Sequence, residues 1–202
     1  MTQQLRHRLL HGLGVQKAAT AADLARRLGL PHADVEHELA AAQAGGRVVL
    51  AGNRWMLAPL ARMALQADYS RVHAEVRDDP GIRAANADFE GLNRALKALM
   101  TDWQVLTVAG QPLPNDHSDT AHDARIIDRL GALHERADPV LQRLEAGLPA
   151  LSFYRAGLLA ALEKAEDGDI AWVSDVARES YHTLWFELHE ELIRILGGQR
   201  TD

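Results

Sequence analysis

Cysteine is missing from all 202 residues. Its absence excludes disulfides, thiolate metal sites and a cysteine nucleophile. Long apolar runs are missing too: nothing approaches membrane-spanning length, and the opening stretch MTQQLRHRLLHGLG has no apolar h-region. A soluble, cytoplasmic protein with no membrane partner is expected. Also missing are a Gly-x-Ser-x-Gly elbow, a phosphate loop and a dinucleotide fingerprint. No residue pattern identifies a nucleophile, so the expectation is a protein that is not an enzyme and carries no cofactor. What is present is a folding composition, 47% apolar. It is rich in Ala, Leu, Arg and Gly, as GC-rich bacterial coding would give.

The net charge of −6 argues against nucleic acid only if it is spread evenly. It is not: residues 1–72 sum to +4 and the remainder to −10. A basic head on an acidic body suits a phosphate-binding module joined to a second domain.

The head has readable punctuation. In TAADLARRLGLPHADVEHEL, Thr20 and Asp23 form a capping-box-like start, and Leu24, Ala25 and Leu28 share a face. Gly29 supplies a turn and Pro31 suits the start of a second helix, whose inner side is Val35, Leu39 and Ala42. An earlier helix carries Leu5, Leu9, Leu10 and Leu13. Then VVL and WML read as strands joined by Gly52-Asn53, with Val48, Leu50, Trp55 and Leu57 on one face. Three helices and a hairpin over residues 3–58 resemble the winged helix-turn-helix of bacterial transcriptional regulators of the MarR and GntR kind. The segments TDWQ, NDHSD and SYHTLWFELHEEL resemble parts of bacterial winged-helix proteins as well.

That resemblance implies binding to double-stranded DNA. Arg6, Arg8, Arg26, Arg27, Arg47 and Arg54 would hold the phosphate backbone, with His32 and His37 on the second helix of the pair. The helix departs from the pattern, however. Its leading surface is His32, Ala33, Asp34, Glu36 and His37, with no Arg or Lys for bidentate contact to guanine. A module that docks another protein therefore stays open as the alternative.

From Pro59 onward the pattern is helical. One helix is expected from Pro59 to about Arg77, a second over about 84–103 and a third from about 119, kinked or restarted at Asp138-Pro139. A fourth should run from Pro149 to Ala165, and a last one should be capped by Ser174 or Asp175 and stopped by Gly197. Residues 104–119 read as a long irregular segment, with Asp102, Gln104, Asn115, Asp116, His117 and Asp119 at its ends. The fold class is therefore mainly α: a winged helix in 1–58 and an all-α bundle in 59–202, with 59–77 as connector.

The last helix is unusual. Tyr181, Leu184, Trp185, Leu188, Leu192, Ile195 and Leu196 make one stripe, with His182, Phe186, His189 and Ile193 beside it. So broad an apolar arc suits burial on two sides, one of them a partner copy or a pocket. His134 sits mid-stripe on another helix, and Asn93 interrupts a third. A mixed pocket of Asn93, Trp103, His134, His182, Trp185 and His189 for a small-molecule effector is the expectation, in a homodimer. Metal has weak support: Glu179-x-x-His182 and Asp119-x-x-His122 have helical ligand spacing. In NADFEGLNRAL, superficially similar to a GntR metal helix, Glu90 stands where a histidine would be needed.

Overall fold

The computed structural model describes residues 3–108 and 110–198. The protein is mainly helical, with two antiparallel hairpins. It packs as two compact units: the described residues up to Arg77 together with those from Glu190 on, and Asp78–His189.

The first unit begins with α1 (Gln3–Gln16), α2 (Ala21–Leu28) and α3 (His32–Ala44), followed by β1 (Val48–Ala51) and β2 (Arg54–Leu57). The start of α2 is a reciprocal capping box. Thr20 Oγ1 accepts from the Asp23 amide at 3.1 Å, and Asp23 Oδ2 accepts from the Thr20 amide at 3.4 Å. Gly29 ends α2 at φ +63°, and the Leu30 amide reaches back to the Ala25 carbonyl. That left-handed step is what redirects the chain into α3 within a few residues. Pro31 caps α3 from just outside it. Leu9, Leu13, Leu24, Val35, Leu39, Val48 and Leu57 close on one core.

In the hairpin, Val48 pairs with Leu57 and Leu50 with Trp55. Period-two alternation therefore puts those four on one face, as expected. Leu50, nearer the tip, is nevertheless exposed. The Ala19 and Trp55 backbones exchange hydrogen bonds of 3.0 and 2.7 Å, adding a one-residue third strand.

The helix expected from Pro59 to Arg77 is two helices, α4 (Pro59–Val72) and α5 (Ala74–Asp78), broken at His73. The His73 ring is held by His7, while Arg77 donates to the Ile195 and Arg194 carbonyls at 2.6 and 3.1 Å. The latter bonds satisfy the open end of α10 (Tyr181–Leu196). Residues 59–77 and 190–198 pack with the first unit, whereas the winged-helix pattern and the helix opening at Pro59 suggested a boundary at 58/59.

The second unit is built on α6 (Pro80–Gln104) and α7 (Thr120–Gly147), which pack along each other. Asp79 caps the first and Asp119 the second. Pro139 does not break α7. Proline removes the hydrogen bond to the residue four back, and Glu135, like Pro139, is exposed, so the missing bond falls on the solvent side of the helix. Asp138, expected as a cap, instead accepts two bonds from Arg155, at 2.6 and 3.0 Å.

The expectation of an all-α body and an irregular 104–119 segment is corrected. Strand β3 (Val105–Val108) pairs with β4 (Gln111–Pro114). Pro112 and Pro114 obscured β4 in the sequence; a two-stranded ribbon tolerates them because each strand has an unpaired edge. A 3-10 turn at Pro149–Leu151 leads into α8 (Ser152–Glu166), and α9 (Ala171–Ser174) is a single turn. The last helix starts later than expected. Ser180 Oγ, not Ser174 or Asp175, accepts its Thr183 amide, while Gly197 ends it as expected. Among the described residues, no helix is long and apolar enough to cross a membrane.

Candidate functional site

The basic residues of the first unit divide by what they already hold. Arg6 Nε is 2.7 Å from the buried Glu38 carboxylate, and Arg8 donates to the Leu28 carbonyl at 2.9 Å. Both fasten α1 to the neighbouring helices, which is a packing task. Arg27 is half-buried. Arg26 is exposed, 3.9 Å from Asp23. Arg54 is exposed on the hairpin, with one nitrogen on the Ala18 carbonyl at 2.6 Å. Arg47 is exposed beside β1 and, with Arg6, His7 and Arg71, lines a cleft of about 860 Å³. On α3, His32 and His37 are exposed; His32 lies 3.6 Å from Glu36, and the helix has no Arg or Lys.

Three histidines also gather in this unit. His7 Nε2 meets His73 Nε2 at 3.3 Å, and His11 Nδ1 meets the Tyr69 hydroxyl at 2.8 Å. The far nitrogen of His11 lies 3.3 Å from Glu191 without hydrogen-bond alignment. Burial, then the neighbouring His11, holds the His7 pKa down. Burial, then His7 and His11, brings His73 to about 4, and burial raises Tyr69 to about 12. His7, His73 and Tyr69 are thereby held toward their neutral forms and act as packing with directional bonds.

In the second unit the expected effector residues separate into groups. Asn93, Trp185 and His189 meet in a directional chain. Trp185 Nε1–H donates to Asn93 Oδ1 at 3.1 Å, and Asn93 Nδ2–H points to His189 Nδ1 at 3.5 Å. His189 Nε2–H donates to Glu90 at 2.9 Å. Because a carboxylate only accepts, the last bond fixes the tautomer, and the tautomer fixes the Asn93 amide. Phe89 stacks on Trp185 at 4.9 Å, and Tyr181 stacks on Trp185 at 6.0 Å. Tyr181 bonds His134 at 3.2 Å. Burial lowers the pKa of His134 and His182 and raises that of Tyr181. Asn93, Trp185, His134 and His189 are buried, and these bonds join them in a polar seam within the core. Glu90, the departure from metal spacing, is the seam's terminal acceptor.

Trp103 lies elsewhere. Its indole N–H donates to Ser174 at 3.0 Å, and its ring lies 4.5 Å from His117. His117 holds a left-handed backbone, φ +60°, and its Nδ1 lies 3.0 Å from the buried Asp123 carboxylate. Asn115 fixes the turn: its Nδ2 donates to the Trp103 carbonyl at 2.9 Å and to Asp123 at 3.0 Å, and its Oδ1 accepts from the His117 amide at 2.9 Å. With both Asn115 hydrogens used and Asp123 only accepting, His117 Nδ1–H donates to Asp123.

Beside this triad is a cleft of about 360 Å³, lined by His117, Asp123, Asp128 and Glu166 and by Ala124, Ile127, Ala165 and Ile170. None of the six expected effector residues lines it. Asp123 escaped the sequence reading, although an acid three and four residues before Ile126 and Ile127 lies in phase with the buried stripe of α7. Among the described residues, no cluster of His, Asp or Glu is arranged to hold a metal ion. No family model, curated protein or solved structure matches the chain.

Proposed function

We propose that the protein is a DNA-binding transcriptional regulator. Residues 3–58 form a winged helix-turn-helix, and a second copy pairs with the chain. The observation that carries this reading is local geometry. Helix α2, the left-handed Gly29 and α3 make the two-helix turn, and the Ala19–Trp55 bridge ties the hairpin beside them. The outer face of α3 is left exposed. That is the arrangement in which a second helix enters a groove and a wing flanks it. With Arg6 and Arg8 engaged inside the fold, the phosphate contacts fall to Arg26, Arg47 and Arg54. Affinity would therefore be mostly electrostatic and weakly dependent on sequence. For the second copy, Leu60 and Met63 are 79% and 69% exposed, one turn apart on α4. Dimerisation would cover them.

Anisotropy of a labelled random duplex across a salt series tests the reading. Binding that weakens with salt is expected. Replacing Arg26, Arg47 and Arg54 by alanine should reduce the slope by about 3, close to one unit per phosphate contact. Absence of binding by a folded chain at low salt would overturn it.

A second reading is favoured by one observation: Asp34 and Glu36 share the outward face of α3 with His32 and His37, and no fixed cation stands among them. Such a face suits a basic protein partner better than a phosphate backbone, and the same experiment separates the two.

A further inference from the structure

We propose that the cleft beside His117 binds a small organic cation, a primary ammonium or guanidinium on a short apolar chain. Its walls and its rim specify different parts of that ligand. Ala124, Ile127, Ala165 and Ile170 offer apolar surface, and about 360 Å³ is the size of a metabolite site. The polar rim holds the Thr120 hydroxyl, the His117 ring and the carboxylates of Asp123, Asp128 and Glu166. Asp128 and Glu166 have no hydrogen bond or ion pair among the described residues. Two carboxylates from different helices, Asp128 on α7 and Glu166 on α8, match the charge and the donors of an ammonium group or one edge of a guanidinium.

Two helix ends agree with this sign. Ala165, Glu166 and Gly168 lie at the C-terminus of α8, whose carbonyls carry partial negative charge. The N-terminus of α7, which would otherwise favour an anion, is occupied by Asp119, and Asp123 is in its first turn. The cation of the last turn of α8, Lys164, lies over the Trp172 ring at 3.5 Å. An anionic ligand would meet three carboxylates and no fixed positive charge among the lining residues. Among the described residues, no group of His, Asp and Glu here is arranged to hold a metal ion.

The site stands on the cleft alone; only its role as an effector site rests on the regulator reading. The test is an amide-resonance titration of the full-length protein, without DNA, using n-butylammonium, n-butylguanidinium, n-butanol, butyrate and magnesium as separate probes. Saturable shifts confined to residues 117–128 and 165–170 are expected with the two cations. An Asp128→Asn, Glu166→Gln double variant should weaken them tenfold or more. Both positions are exposed, so an unchanged spectrum elsewhere confirms the fold. Equal shifts with butanol, tighter binding of butyrate or magnesium, wild-type affinity in the variant, or no saturable shift would each overturn the proposal. Repeating the DNA titration with butylammonium isolates the effector role: cleft binding without a change in DNA affinity removes that role and leaves the site.

Discussion

His73 shows what burial does to a single imidazole. Its pKa of about 4 lies below the ordinary 6.5 because burial, then His7 and His11, disfavour its charge. An unfolded chain takes up that proton near pH 6.5, whereas the folded chain resists until near 4. Stability from this group is therefore complete above pH 6.5 and declines as pH falls toward 4. Allowing for the water on its open side, the loss is on the order of 1–2 kcal/mol. Urea denaturation of the wild type and of His73→Gln at pH 5 and 7 checks this: the variant should lose part of the difference between the two pH values. Asn93 is the other decisive residue. Asn93→Ala strands the Trp185 indole N–H and His189 in the core and should cost about 2–3 kcal/mol by urea denaturation.

Two glycines separate backbone cost from packing cost among the elements. At Gly29, φ is +63° and an added Cβ would meet nothing within 4 Å. Gly29→Ala should therefore cost about 1 kcal/mol from conformation alone, with Gly29→Asn milder. At Gly147, the added Cβ would come within 2.5 Å of the end of the Ile82 side chain. Gly147→Ala should cost about 1–3 kcal/mol, and shortening Ile82 to valine should recover part of it. Thermal denaturation of these variants distinguishes the causes.

The sequence disclosed most of the elements because their signals are local: the Thr20–Asp23 box, Gly29, Pro59 and the paired apolar runs around Gly52-Asn53. It concealed those decided by partners far along the chain. Pro139 reads as a break until the exposure of Glu135 is known. The β4 prolines speak against a strand until the ribbon's free edge is seen. Asn93, Trp185 and His189 are legible as companions, since all three interrupt or flank apolar stripes. That they bond to one another depends on how the helices meet, which periodicity does not encode. His117 was visible as loop chemistry, but its cleft was not, because Asp128 and Glu166 look like ordinary solvated acids.

At the scale of the whole molecule, the first unit is discontinuous in sequence. Arg77 bonds the end of α10, and Glu191 lies beside His11. A fragment ending at residue 77 loses these contacts. It should be less stable, by about 2 kcal/mol or more, than the same fragment with residues 190–198 attached through a flexible linker. Chemical denaturation of the two fragments measures the difference, and equal midpoints would mean that the contacts are incidental.

The discontinuity also sets an order of events during synthesis. Asp78–His189 emerges as one uninterrupted stretch and can condense as it leaves the ribosome. The head, although made first, must wait for residues 190–198 before its last packing partners exist. Its early helices therefore pass through a long interval with the Tyr69 and His11 side uncovered. A translational pause placed between residues 78 and 189 would prolong that interval and give proteases and chaperones their best opportunity to engage the nascent head.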